Sequence, residues 1–163
     1  MKIRKLQPTD DLNQISRVYE ESWRHAYKNI IPQAFLDSIP EGSWVNGITD
    51  PDRHTLVCLE NEHIVGTSSV CKSRFPEYPE SGEVISIYFL PEYMHKGYGR
   101  KLMKAALDEL KSMGFREVFL WVLEENAPAR SFYEKYGFKC TNDYHEDNIG
   151  GKLLREVRYE FQL

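Results

Sequence analysis

Apolar residues recur along this chain with two periods. Leu12, Ile15, Val18, Tyr19, Ser22, Trp23 and Tyr27 keep helical spacing, and Pro8–Asp11 ahead of them offers Thr9 or an aspartate as cap. Ile30-Ile31-Pro32 breaks that helix. A second short one is expected from Gln33 to Ile39, ahead of Pro40, and a helical turn between Glu41 and Thr49. Runs rich in β-branched and aromatic residues predict strands at Lys2–Leu6, His54–Leu59, Ile64–Cys71, Glu83–Leu90, Glu117–Leu123, Lys139–Tyr144 and Leu153–Phe161. Two more helices are expected: one from Leu102 to Met113, closed by Gly114, and one from Pro128 to Tyr136, closed by Gly137. Ser73–Gly82, with two prolines, and the polar run His145–Gly151 read as loops. This order predicts an α/β protein whose mixed sheet carries helices on both faces. The fourth strand, the long helix and the fifth strand would form one right-handed crossover.

The pattern changes most sharply at the centre. The strand from Glu83 must stop at Pro91, which cannot donate to a sheet ladder. Gly97 and Gly99 then flank Tyr98, and an amphipathic helix follows at once. The first N–H groups of a helix have no partner inside it and carry the positive end of its dipole. Glycines there let an anion come close. With Lys96, Arg100 and Lys101 nearby, a diphosphate site is predicted; the alternative is a tight turn whose glycines only solve a steric problem. A P-loop needs Lys-Ser or Lys-Thr after its last glycine, and a dinucleotide fingerprint needs a third glycine where Leu102 stands. Neither fits, which leaves a phosphate site without an evident metal ligand.

Composition narrows the class. The 163 residues suit one domain, residues 1–163, and 41% hydrophobic with 28% charged residues describes a soluble globular protein. A net charge of −4 disfavours a nucleic-acid binder and is compatible with a cationic substrate. Cys58, Cys71 and Cys140 are odd in number and widely spaced, which argues against a disulfide framework or a zinc site. With no leader-like start and no membrane-length apolar run, a cytoplasmic protein is expected.

Two blocks carry a family resemblance. IYFLPEYMHKGYGRKLM resembles the acetyl-coenzyme A motif of the GNAT superfamily of N-acetyltransferases: a strand, a proline, then Gln/Arg-x-x-Gly-x-Gly/Ala opening a helix. LWVLEENAPARSFYEKYGF, from Leu120 to Phe138, is similar to the family's later block, in which a strand leads to Asn, then Tyr seven residues on, then Gly-Phe. Met94 departs from the pattern, standing where the family usually has Gln or Arg.

The resemblance implies a GNAT-like fold and an acetyl-coenzyme A-dependent N-acetyltransferase. The amine would attack the thioester directly, with both substrates bound. His95, Lys96, Gly97, Tyr98, Gly99 and Arg100 would hold the diphosphate. The pantetheine would lie along the central strand beside Ile87, Tyr88 and Phe89, and the Phe89 amide would face the oxyanion. Tyr133 matches the family's thiolate-protonating tyrosine; its helix-face spacing with Ala129, Phe132 and Tyr136 also suits a core residue. Asn126 would touch the pantetheine, cap its helix, or both. Glu83, at the start of the central strand, matches a glutamate that serves some members as base; a solvated strand end is the other reading. The base that some protein N-terminal acetyltransferases place five residues before the asparagine is replaced by Trp121, against the ribosomal-protein subtype. Glu124 and Glu125 could bind a cation or read as surface charges, and His145 could titrate near neutrality or read as an exposed loop histidine.

The acceptor expected is a primary amine of a small molecule, such as a polyamine, an antibiotic amine or an amino acid. A protein lysine or N-terminus, or a non-catalytic acyl-coenzyme A sensor, are the alternatives. Relatives often pair through their terminal strands, so a homodimer is compatible with the chain.

Overall fold

The computed structural model describes all residues, 1–163. Seven strands form one sheet in the order β1-β2-β3-β4-β5-β7-β6. They are β1 (Lys2–Lys5), β2 (His54–Glu60), β3 (His63–Lys72), β4 (Gly82–Phe89), β5 (Glu117–Leu123), β6 (Lys139–Ile149) and β7 (Lys152–Gln162). The helices are α1 (Leu12–Ala26), α2 (Gln33–Ser38), α3 (Val45–Ile48), α4 (Tyr98–Ser112) and α5 (Ala127–Tyr136). The β4–α4–β5 crossover supplies the sheet's parallel pair, and the other neighbours run antiparallel. No helix is long and apolar enough to cross a membrane.

Helices cover both faces because their apolar stripes need partners there. Asp11 caps α1 by accepting from the Asn13 and Gln14 amides. The α1 stripe of Ile15, Val18 and Tyr19 packs on Val57, Leu59 and Ile64. On the other face Leu102, Met103, Ala106 and Leu110 of α4 bury themselves with Val84, Phe89, Val118 and Leu120.

The sheet departs from regularity in two places that shape the centre of the molecule. Ser69 pairs with Ser86 but Val70 pairs with Val84, so Ile85 is an extra residue in β4. This bulge reverses the facing of the strand. Ile87 and Phe89 beyond it, and Val84 before it, all pack with the α4 cluster, while Ser86 bonds the α1 residue Tyr19 at 2.8 Å. Glu83 therefore lies on the α1 face. The second irregularity is a parting of strands: β4 and β5 pair only at Gly82↔Val118 and Glu83↔Phe119, then diverge.

The expected loop at His145–Gly151 is instead the tip of a long hairpin. β6 runs on to Ile149 and turns through Gly150 and Gly151, both at positive φ. Gly150 is needed twice over, since a Cβ there would lie 2.6 Å from Phe35 of α2.

Candidate active site

The parting of β4 and β5 opens a cleft of about 900 Å³ through the sheet. One end is the turn before α4. Gly97 sits at φ +78° as the N-cap and no side chain caps the helix. None of the backbone amides from His95 to Arg100 donates to another group of the protein. A Cβ on Gly97 would meet nothing within 4 Å, so this end is open as well as rich in donors. His95, Gly97, Gly99 and Arg100 line the cleft, whereas Lys96 and Tyr98 point elsewhere: Lys96 lies over the Tyr93 ring, and Tyr98 donates to Glu60. Met94 also lines the cleft, as a half-buried apolar wall.

Along the middle, β4 presents a free edge. The Leu90 amide donates to Val65 and the Ser86 carbonyl accepts from Ser68, so these residues turn toward β3. Strand alternation then turns the backbone groups of Ile87 and Phe89 the other way, into the parting. Opposite stands Tyr133 of α5. Its ring packs near Phe138 and Tyr159, and the residue lines the cleft. Burial, reinforced by the neighbouring Tyr88 phenol, pushes its pKa well above the ordinary tyrosine value.

The far end is aromatic. The Tyr88 hydroxyl lies 3.1 Å from that of Tyr27 and accepts from Trp23 Nε1 at 3.2 Å. Trp121, Ile149 and Glu156 complete the wall. The hairpin tip closes this end from outside: Lys152 Nζ donates to the Ile30 carbonyl, and Ile149 packs with Ile31 and Leu36.

A donor-lined turn, a sheet parted at one strand pair and a phenol across the gap coincide here with a match to the Acetyltransferase (GNAT) family model over residues 12–138. The chain belongs to the GNAT family of acetyltransferases. It is 30% identical to an uncharacterized N-acetyltransferase, YuaI, of Bacillus subtilis, over 91% of this chain and 86% of that protein. It is 28% identical to the spermidine N(1)-acetyltransferase of Thermoplasma acidophilum, over 98% of each. Among solved structures, the PaiA N-acetyltransferase of T. acidophilum in complex with coenzyme A matches all of both chains with a TM-score of 0.78 at 24% identity. The protein yncA of Salmonella typhimurium, solved with its cofactor acetyl-coenzyme A, matches with a TM-score of 0.74 at 23% identity, over 100% of this chain and 94% of that one. These likenesses share the GNAT fold.

As a GNAT acetyltransferase, the chain brings most of the residues expected from its sequence to one cleft; Lys96, Tyr98 and Glu83 lie outside it. Tyr88 turns its side chain to the aromatic end rather than along the carrier's path. Glu83 is the correction. It is 1% exposed and does not line the cleft. Arg74 Nη2 donates to Oε1 at 2.6 Å, while Arg74 Nε and the Arg74 amide both donate to Oε2 at 3.1 Å. Buried outside the cleft, with both oxygens held by Arg74, this carboxylate does not face the space an amine would enter, so the expected base role fails on geometry. Its work is structural: Arg74→Ala would strand a buried charge and should destabilise the fold by about 2 kcal/mol, discounted for the half-exposed guanidinium, as read from the denaturant midpoint.

Asn126 is buried and caps α5, its Oδ1 accepting from the Ala129 amide at 3.3 Å. It lines the cleft too, so both expected roles remain open to it. Sequence reasoning did not reach Lys135, which lines the cleft beside Arg100, or Glu156 at the aromatic end. Neither belongs to a motif; only the fold places them.

Proposed function

We propose that this protein transfers the acetyl group of acetyl-coenzyme A to a primary amine of a small molecule, by direct attack with both substrates bound. The observation that carries this reading is the free edge of β4 at Ile87 and Phe89, running from the unpartnered amides of His95–Arg100 to a closed aromatic pocket. The amides and Arg100 would take the diphosphate, with the cleft residues His95, Gly97 and Gly99 nearest it. The β4 edge would take the pantetheine as an added strand, and the Phe89 amide would receive the developing oxyanion. Tyr133 would give the leaving sulfur its proton.

A small acceptor is supported by the hairpin tip, which roofs the acceptor end through Gly150 on Phe35 and Lys152 on Ile30. An extended peptide would have to displace it. A polyamine is a member of the acceptor class favoured here, in line with the T. acidophilum relative named for spermidine. The sheet draws on residues 2 to 162, which supports reading 1–163 as one N-acetyltransferase domain. The three cysteines are unpaired, in keeping with a cytoplasmic site of action. β6 is the longer of the sheet's two edge strands and a natural place for a homodimer contact.

Acetyl-coenzyme A at 100 times its Kd should add about 2.7 kcal/mol of stability and raise Tm by several degrees. A melting curve that ignores acetyl-coenzyme A at saturating excess would overturn the reading. Release of free thiol across a panel of amines would then give the acceptor.

A further inference from the structure

With Glu83 occupied, the reaction lacks a group to neutralise the incoming amine, which at neutral pH arrives as an ammonium with no lone pair to offer. The acceptor end holds one other carboxylate. Glu156 stands on β7 between its ladder partners, Leu123 of β5 and His145 of β6. It lines the cleft with Trp23, Tyr27, Tyr88 and Trp121, and its side chain is 27% exposed. His145 Nε2 lies 2.6 Å from Glu156 Oε2, and no protein group within reach binds Oε1. The imidazole is itself fixed, its centroid 4.3 Å from that of Trp121 and 5.8 Å from that of Phe75. Two buried polar atoms beside this pair, Trp121 Nε1 and His145 Nδ1, have no protein partner. Arg74, whose guanidinium feels Glu156, is held by Glu83 at 2.6 Å.

We infer that Glu156, oriented by His145, binds the acceptor's ammonium group and removes its proton. This rests on the acetyl-transfer reading above and adds the group that the reading lacks. The surrounding indole and phenol rings suit the same ligand, because a cation over an aromatic face is attracted to it. The balance closes. One N–H proton of R–NH3+ passes to Glu156 Oε1, leaving R–NH2. The amine lone pair forms the N–C bond and the C–S bond breaks. Sulfur takes the Tyr133 proton, and the surplus proton on nitrogen restores the phenol. The Glu156 proton leaves to solvent, so the sum is one amide, one free thiol and one proton. Glu156 is the catalytic residue in this scheme and His145 a positioning residue.

Calorimetric titration of spermidine and of propylamine, each with and without coenzyme A, tests the inference. Glu156→Gln keeps the shape and removes the charge, and should weaken both amines about tenfold or more, as loss of a charged hydrogen-bond partner does. Its coenzyme A affinity should stay within about twofold of the wild type, because the altered group lies at the other end of the cleft. His145→Phe should weaken the amines several-fold, and His145→Gln, whose N–H can reach the same carboxylate, should restore them. Glu156→Gln binding both amines like the wild type, or a wild type that binds neither, overturns the assignment. A wild type that fails to bind coenzyme A overturns the function proposed above, and the amine titrations without coenzyme A still decide Glu156.

Discussion

A Tyr133→Phe variant is expected to lose about 100-fold or more in kcat, the usual worth of a positioned general acid, while its acetyl-coenzyme A affinity holds. The phenylalanine keeps the ring that packs near Phe138 and Tyr159, so the fold should be untouched. What disappears is one proton. Burial acts in the same direction on both partners of the transfer. It holds the phenol protonated above the ordinary tyrosine range, and it makes a thiolate in the same dry cleft a stronger base than it is in water. The donor is therefore loaded at every working pH, and no fall in kcat from this group is expected up to about pH 10, since its folded pKa is raised and not lowered. Single-turnover kinetics of thiol release measure the step. A Phe variant within threefold of the wild type would remove Tyr133 from the chemistry.

Gly97→Val should raise the Kd for acetyl-coenzyme A by about tenfold or more, equivalent to about 1.4 kcal/mol. Two effects combine. Gly97 sits at φ +78°, where an L-residue pays roughly 1–2 kcal/mol, so the turn will shift to relieve the strain. The new side chain would also project into space that is empty of protein, in front of the amides proposed to bind the phosphates. Gly114 separates the two. It lies beyond the other end of α4 at φ +96°, also with nothing within 4 Å of a Cβ. Gly114→Val should cost comparable stability and leave acetyl-coenzyme A affinity as it was. Equal affinity loss in both variants would show that strain alone is responsible and that the turn does not hold the diphosphate.

How much of this could be read beforehand depended on whether a residue's task was local. The β4–turn–α4 unit was legible because its parts announce themselves within 30 residues: a β-branched run, a proline, two glycines and a helical stripe. The match of Gly97 to an N-cap at positive φ follows from that chemistry. The β6–β7 hairpin was read as shorter than it is because β6 is an edge strand, exposed on most of its length. It has no buried face to impose alternation on its sequence. Glu83 misled for a different reason. Its position in β4 was right, but the bulge at Ile85 and the arrival of Arg74 from the preceding loop decide what its carboxylate touches. Glu156 gave no signal at all, since β7 meets β5 and β6 only through the sheet order.

The two rungs at Gly82 and Glu83 are all that pins the β1–β4 leaf of the sheet to the β5–β7–β6 leaf along their shared seam. The other crossings between the leaves are packing contacts, through α4 and α5 on one face and through Phe75 on Phe119 and the α2–hairpin contacts on the other. A ligand laid along that seam would supply the missing backbone rungs itself. The protein without it is then a hinged book, and its cargo doubles as the binding thread: hydrogen exchange at Leu120–Leu123 should slow when the seam is filled, and the two leaves should stiffen against each other before any acetyl group moves.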